Sequence, residues 1–170
     1  MQYISYYQSS MGRMLLAADD IGLTGLWFEG QKYFPLYPRE ECEEREIPLF
    51  ENVKRWLDIY FSGKEPDFTV PLHFTGTDFQ KEVWKILCTI PYGKTTTYGL
   101  IAKKLAARKG LERMSAQAVG GAVGHNKISI IVPCHRVIGA DGSLTGYAGG
   151  LDKKVKLLDL EGAAFKRADM

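Results

Sequence analysis

Pro133-Cys134-His135-Arg136-Val137-Ile138-Gly139 follows directly on the apolar run Ile128-Ser129-Ile130-Ile131-Val132. The run reads as a strand, and the residues after it set a thiol, an imidazole and a guanidinium side by side. A thiol is a strong nucleophile only as its thiolate, and a neighbouring base and positive charge lower its pKa. The spacing therefore predicts a Cys134 thiol of lowered pKa, prepared for attack. An inert buried thiol behind a strand is the competing reading. In an extended chain adjacent side chains point opposite ways, so His135 would reach the sulfur only through a turn or a water.

Working outward, the flanking segments are mostly helical. Thr77 and Gln80 have capping-box spacing, and Phe79, Val83, Leu87 and Ile90 form an apolar stripe behind them. Pro91-Tyr92-Gly93 ends that helix. Thr97 is placed to cap a second, with Tyr98, Ile101, Ala102 and Leu105 inward. A basic connection, Arg108-Lys109-Gly110, leads to Ser115 as the cap of a third helix running through Val123. That helix is built from small residues: Ala116, Ala118, Gly120, Gly121 and Ala122. Each helical glycine costs about 1 kcal/mol relative to alanine, which suits a surface that another backbone approaches closely. Two short helices with a tight connection fit a helix-turn-helix; close helix packing in the core is the alternative. A last helix carries Leu151, Val155 and Leu158 on its apolar face and stops at Gly162. The helix dipole disfavours a carboxylate at its end, so Glu161 there predicts a cationic or hydrogen-bonded partner.

Residues 2–8, 12–18 and 22–28 read as strands of an antiparallel sheet, separated by turn signals. Residues 31–46, with Pro35, Pro38 and an acidic cluster, read as a loop. Pro48 to Phe61 repeats apolar residues at three and four, with Pro48 in a first turn and Gly63 as a stop. Residues 65–76 read as a linker with some strand character. The expected fold class is α+β: a small N-terminal α/β domain with an antiparallel sheet over 1–75, and a mostly helical domain with a helix-turn-helix over 76–170.

Charge follows the same division. Residues 1–75 hold 7 Lys or Arg against 12 Asp or Glu, whereas residues 76–170 hold 15 against 8. A basic second half points to a polyanion, provided the charges share a face. The chain has 3 cysteines and 3 histidines without ligand spacing, which predicts neither a disulfide framework nor a zinc site and suits a reducing cytoplasm. No apolar run reaches the roughly 20 residues of a membrane span, and the first residues lack signal-peptide character.

The chain resembles the O6-alkylguanine-DNA alkyltransferases. The resemblance is carried in order by Phe79-Gln80, Val83-Trp84, Ile90-Pro91-Tyr92-Gly93, Thr97-Tyr98, Ala118-Val119-Gly120-Gly121-Ala122, Asn126, Pro133-Cys134-His135-Arg136-Val137, Gly142, Tyr147, Gly149-Gly150-Leu151 and Glu161-Gly162. It covers residues 77–162, with a looser match before them. It implies irreversible, single-turnover transfer of the alkyl group from O6-methylguanine, and O4-methylthymine, in DNA to Cys134. No cofactor is implied, and the expected partner is double-stranded DNA bound by a monomer. The resemblance implies a relay in which Glu161 holds His135, which takes the thiol proton through a water, while Asn126 braces the loop beside the site. It further implies that Tyr98 sets its phenol near guanine N3, that Tyr147 closes the pocket, and that backbone groups of Cys134, Val137 and Ala148 read the base. Arg136 is expected near the substrate, tying elements together.

The helix from Ser115 through Ala116, Gln117, Ala118, Gly120 and Gly121 would lie against the minor groove, where readout is degenerate. Arg113, Lys103, Lys104 and Lys127 would meet phosphates. Many family members carry an arginine where this chain has Gln117, which lacks a fixed charge and a planar fork. A cysteine hydrolase and a non-transferring sensor of alkylated bases are the rival readings. The first would turn over, and sensors of this family lack the acceptor cysteine.

Overall fold

The computed structural model describes residues 2–35 and 41–166, so Pro38 of the expected loop lies outside the described residues. The chain divides into two compact units. The first is Met1–Thr75 with Lys127–Ser129, the second Gly76–Asn126 with Ile130–Met170. Lys127–Ser129 thus falls outside the unit to which the 76–170 division assigned it.

In the first unit, β1 (Gln2–Ser9), β2 (Gly12–Ala18), β3 (Leu23–Phe28) and β4 (Cys42–Glu44) form a sheet of order β3-β2-β1-β4. The three expected strands are present, and β1–β2 and β2–β3 pair antiparallel. β4 corrects the reading of 31–46 as loop: it pairs parallel with β1, Gln2 opposite Cys42. The outer edge of β3 is also occupied. Leu23 N–H donates to Pro71 O at 2.9 Å and His73 N–H to Leu23 O at 2.8 Å; Leu26 N–H donates to Lys127 O at 2.8 Å and Ser129 N–H to Leu26 O at 2.9 Å. Two short segments thereby satisfy an otherwise open strand edge. The helix α1 (Pro48–Phe61) buries Phe50, Val53, Leu57 and Tyr60, the spacing that puts them on one face. It is fastened to β1 by Tyr7, whose hydroxyl donates to Asp58 at 2.7 Å.

The second unit contains α2 (Asp78–Leu87), β5 (Thr96–Thr97), α3 (Tyr98–Lys109), α4 (Ala116–Gly124), β6 (Val137–Ile138) and α5 (Leu151–Glu161). The capping box is present: Gln80 N–H donates to Thr77 Oγ1 at 3.1 Å and Thr77 N–H to Gln80 Oε1 at 3.0 Å. Thr97 and Ser115 cap α3 and α4 through Leu100 N–H and Ala118 N–H. Phe79 and Tyr98 are only half-buried, and Arg108 and Lys109 belong to α3, which ends at the left-handed Gly110. Trp84 Nε1 donates at 2.9 Å to Ala122 O, a carbonyl in the last turn of α4 with no helical partner.

The run before Cys134 is not a regular strand. Cys134–Arg136 is one turn of 3-10 helix, and Cys134 N–H bonds back to Val132 O at 2.8 Å. Ile130 is buried with φ 69°, a strained conformation for a β-branched residue. The buried face of α5 is Lys154, Leu157, Leu158 and Glu161, rather than the expected Leu151, Val155 and Leu158; Leu151 is exposed and Val155 half-buried.

Candidate functional site

Two short pairings assemble the site within the second unit. β5 and β6 pair parallel, Thr96 with Val137 and Thr97 with Ile138. Residues just after Cys134 are thereby laid beside the residue that caps α3, and Tyr98 is the first residue of that helix. The left-handed Gly162 (φ 72°) ends α5, where a side chain would be strained, and leaves Glu161 at its last turn facing inward.

Glu161 carries the four hydrogen bonds that organise the centre. Its Oε2 accepts from His135 Nε2 at 2.6 Å and from Arg136 Nη2 at 3.1 Å. Its Oε1 accepts from Arg136 Nε at 2.8 Å and from Gly93 N–H at 3.1 Å. An ionised carboxylate can accept about four bonds, so this one is saturated. The cation expected beside Glu161 is Arg136, in a forked arrangement. Arg136 also donates to Ile90 O at 2.7 Å. It is therefore an internal brace joining the turn after α2, the Cys134 turn and α5, the tying role expected of it.

Cys134, His135 and Glu161 are all buried. Because Nε2–H of His135 is given to Glu161, the neutral ring carries its lone pair on Nδ1. Burial pushes the His135 pKa down, against the raising effect of Glu161, so the ring is neutral at neutral pH. The Cys134 thiol departs from expectation: burial pushes its pKa up, although the Asn126 amide and the Lys154 charge pull it down. The side chains that lower it are those of Asn126 and Lys154, while Arg136 is directed to Glu161. The resting pair is a neutral thiol and a neutral imidazole.

Asn126 donates Nδ2–H to Val132 O at 2.8 Å while also reaching the Cys134 thiol; it braces the irregular segment and meets the sulfur. Tyr98 is near enough for the Cys134 charge to raise its pKa, although burial is the larger cause, and its hydroxyl lies 2.7 Å from Thr145 Oγ1. Tyr147 and Ala148 sit half-buried in a turn closed by Gly150 N–H donating to Tyr147 O at 2.9 Å.

Lys154 was not expected from the sequence. It is 0 % exposed, and its Nζ donates to Val137 O at 2.6 Å and Thr145 O at 3.4 Å. Burial lowers its pKa to about 8, with the Cys134 charge opposing. The signal that could have found it is its place seven residues before Glu161, with Leu157 and Leu158 between on the same stripe.

Ser115, Ala116, Gln117, Ala118 and Gly121 form an exposed face of α4, and Arg113, Lys103 and Lys104 are exposed nearby in the chain. A Cβ on Gly121 would meet nothing within 4 Å, and one on Gly120 would lie 3.7 Å from the Tyr98 ring, an ordinary contact. Close internal packing therefore does not account for these glycines. Lys127 differs from the other basic residues in donating to Thr75 Oγ1 at 3.1 Å. Among the described residues no group of acidic, His and Cys side chains could hold a metal ion, and no helix is long and apolar enough to cross a membrane.

A buried thiol framed by an Asn amide, a His–Glu–Arg network and a buried lysine, in a helical unit following a small α/β unit, defines a class of protein that reacts through cysteine. Residues 78–163 match the family model of the 6-O-methylguanine DNA methyltransferase DNA-binding domain, and residues 2–74 match that of its ribonuclease-like domain. The methylated-DNA–protein-cysteine methyltransferase of Methanosarcina acetivorans is 47% identical over 162 residues, covering 95% of this chain and 99% of its own. That of Haemophilus influenzae is 42% identical, covering 94% and 86%. The crystal structure of Mycobacterium tuberculosis OGT in complex with DNA is similar at TM-score 0.81 and 43% identity, covering 94% of this chain and 92% of that one. The chain belongs to the 6-O-methylguanine DNA methyltransferase family.

Proposed function

We propose that the protein repairs DNA by moving the alkyl group of O6-methylguanine onto Cys134 in a single, irreversible event. The observation that carries this reading is the buried Cys134 beside a His135 whose Nε2–H is committed to Glu161. The thiol proton passes to Nδ1 of His135, through a water. The sulfur attacks the methyl carbon, an S–C bond forms, and the C–O6 bond breaks. Its electron pair stays on the purine, which takes a proton at N1 through the imidazolium. Tyr98 donates to purine N3 as that charge develops. Asn126 braces the sulfur, and backbone groups of Cys134, Val137 and Ala148 with the Tyr147 ring hold the base. The product is a thioether, which has no easy hydrolytic exit, so the protein is consumed.

The target base lies within a stacked duplex and must be extruded to reach a buried sulfur. Double-stranded DNA is received on the exposed face of α4, with α3 and α4 acting as a helix-turn-helix and Gln117 filling the vacated stack. Arg113, Lys103 and Lys104 supply phosphate contacts whose strength falls with salt. The first unit, 1–75 with the 127–129 segment, supports the second. The protein acts as a monomer in this reading, and its free cysteines suit the reducing cytoplasm.

Mixing the protein with excess O6-methylguanine duplex tests this reading. Repair should stop at one lesion per protein molecule. Continued turnover would favour a hydrolase, and binding without loss of the lesion would favour a sensor. The α4 surface makes a separate prediction. Gly121→Ala should stabilise the protein by about 1 kcal/mol, because alanine restores helix propensity in open space, while weakening duplex binding severalfold. A melting curve and a DNA titration read the two effects, and unchanged affinity would remove this face from the interface.

A further inference from the structure

Tyr98 has one hydroxyl hydrogen, and its phenol oxygen lies 2.7 Å from Thr145 Oγ1, with either oxygen able to donate. A phenol offers one donor and also accepts. If Tyr98 gives its hydrogen to Thr145, nothing remains for the substrate. If Thr145 donates instead, the phenol oxygen is satisfied and its hydrogen is free to be aimed elsewhere. Thr145 is itself held, since its carbonyl accepts from buried Lys154 at 3.4 Å and it sits in the segment between β6 and α5 that also carries Tyr147 and Ala148. The Tyr98 ring is backed by Gly120 of α4.

We infer that Thr145 is a positioning residue for alkyl transfer: its hydroxyl donates to the phenol oxygen of Tyr98 and so directs the phenol hydrogen to the acceptor nitrogen N3 of the substrate purine. This inference rests on the methyl-transfer reading above. A purine N3 accepts only, so a bound base fixes the direction of both hydrogen bonds. Two bonds in series polarise each other, and the phenol then meets the charge left on the purine in one orientation.

Single-turnover transfer from O6-methylguanine duplex tests the inference. Thr145→Val, which keeps the shape but loses the hydroxyl, should slow transfer about tenfold, the worth of one oriented hydrogen bond. Thr145→Ser should stay within about twofold of wild type, since it keeps the donor. On a duplex carrying 3-deaza-O6-methylguanine, where N3 is a carbon, wild type and Thr145→Val should react at equal rates. In a Tyr98→Phe background, Thr145→Val should add nothing. An unaffected Thr145→Val, or a deficit that persists on the 3-deaza substrate or with Tyr98→Phe, would overturn the inference while leaving the transfer reaction standing. No transfer by wild type would overturn the function itself, and the inference with it.

Discussion

Glu161→Gln should slow methyl transfer by a hundredfold or more, the order contributed by a positioned general base, and should lower stability by about 3–5 kcal/mol, the cost of stranding a buried charge. The carboxylate holds His135 Nε2, both edges of the Arg136 fork and Gly93 N–H. A glutamine replaces one oxygen by an amide that cannot accept from Arg136 or His135. Buried Arg136 then loses its counter-charge and one of its two bonds to this side chain, keeping Ile90 O and the remaining amide oxygen. Single-turnover rates at a temperature well below the melting midpoint separate chemistry from folding. The double change Glu161→Gln with Arg136→Met makes the separation sharper, because it removes both charges. It should recover much of the stability and none of the rate. Recovery of both would mean that Glu161 serves the fold alone.

Lys154→Met should slow transfer at least tenfold with only a small change in melting temperature. Methionine fills similar apolar space, and removing a buried charge offsets the loss of the bonds to Val137 O and Thr145 O. The kinetic loss follows from charge: the Lys154 ammonium favours the Cys134 thiolate, which burial otherwise disfavours. The pH profile carries the signature. Lys154 is charged below its lowered pKa of about 8 and loses its charge as pH rises through that value, so the wild-type rate should decline there. In the proposed relay His135 is the neutral base, and burial pushes its pKa below the ordinary histidine value. The rate should therefore hold through neutral pH and fall only in more acid solution, where the ring is protonated. In Lys154→Met the alkaline decline should vanish while the acid limb remains. An alkaline limb retained in that variant would assign it to another group.

Local patterns made much of the fold legible. The alternating and apolar runs of β1 to β3, the three-four spacing from Phe50 to Tyr60, and the caps Thr77, Thr97 and Ser115 each depend on residues close in sequence, and each element is present. The misreadings share a different cause, since long-range partners decided them. β4 is a three-residue acidic segment that is a strand only because β1 offers it a parallel edge. Ile128–Val132 has a strand-like composition, but Asn126 and Cys134 take the Val132 carbonyl and bend the chain. The thiol, imidazole and carboxylate were readable as a motif, whereas their electrostatics were not. Arg136 looks like a partner of the thiol in sequence, and in space its guanidinium is bonded to Glu161. The cation that acts on the sulfur is Lys154, buried on the inner face of α5. Burial, which no spacing reveals, then sets the thiol above its ordinary value instead of below it.

The most direct measurement is peptide mass after the protein reacts with O6-methylguanine duplex. A single added methyl on the sulfur of the Cys134 peptide, matched by one guanine restored per protein and absent in Cys134→Ser, is the predicted result. An unmodified Cys134 alongside repaired DNA, or a methyl on Cys42 or Cys88, would contradict the assignment of that thiol as the acceptor.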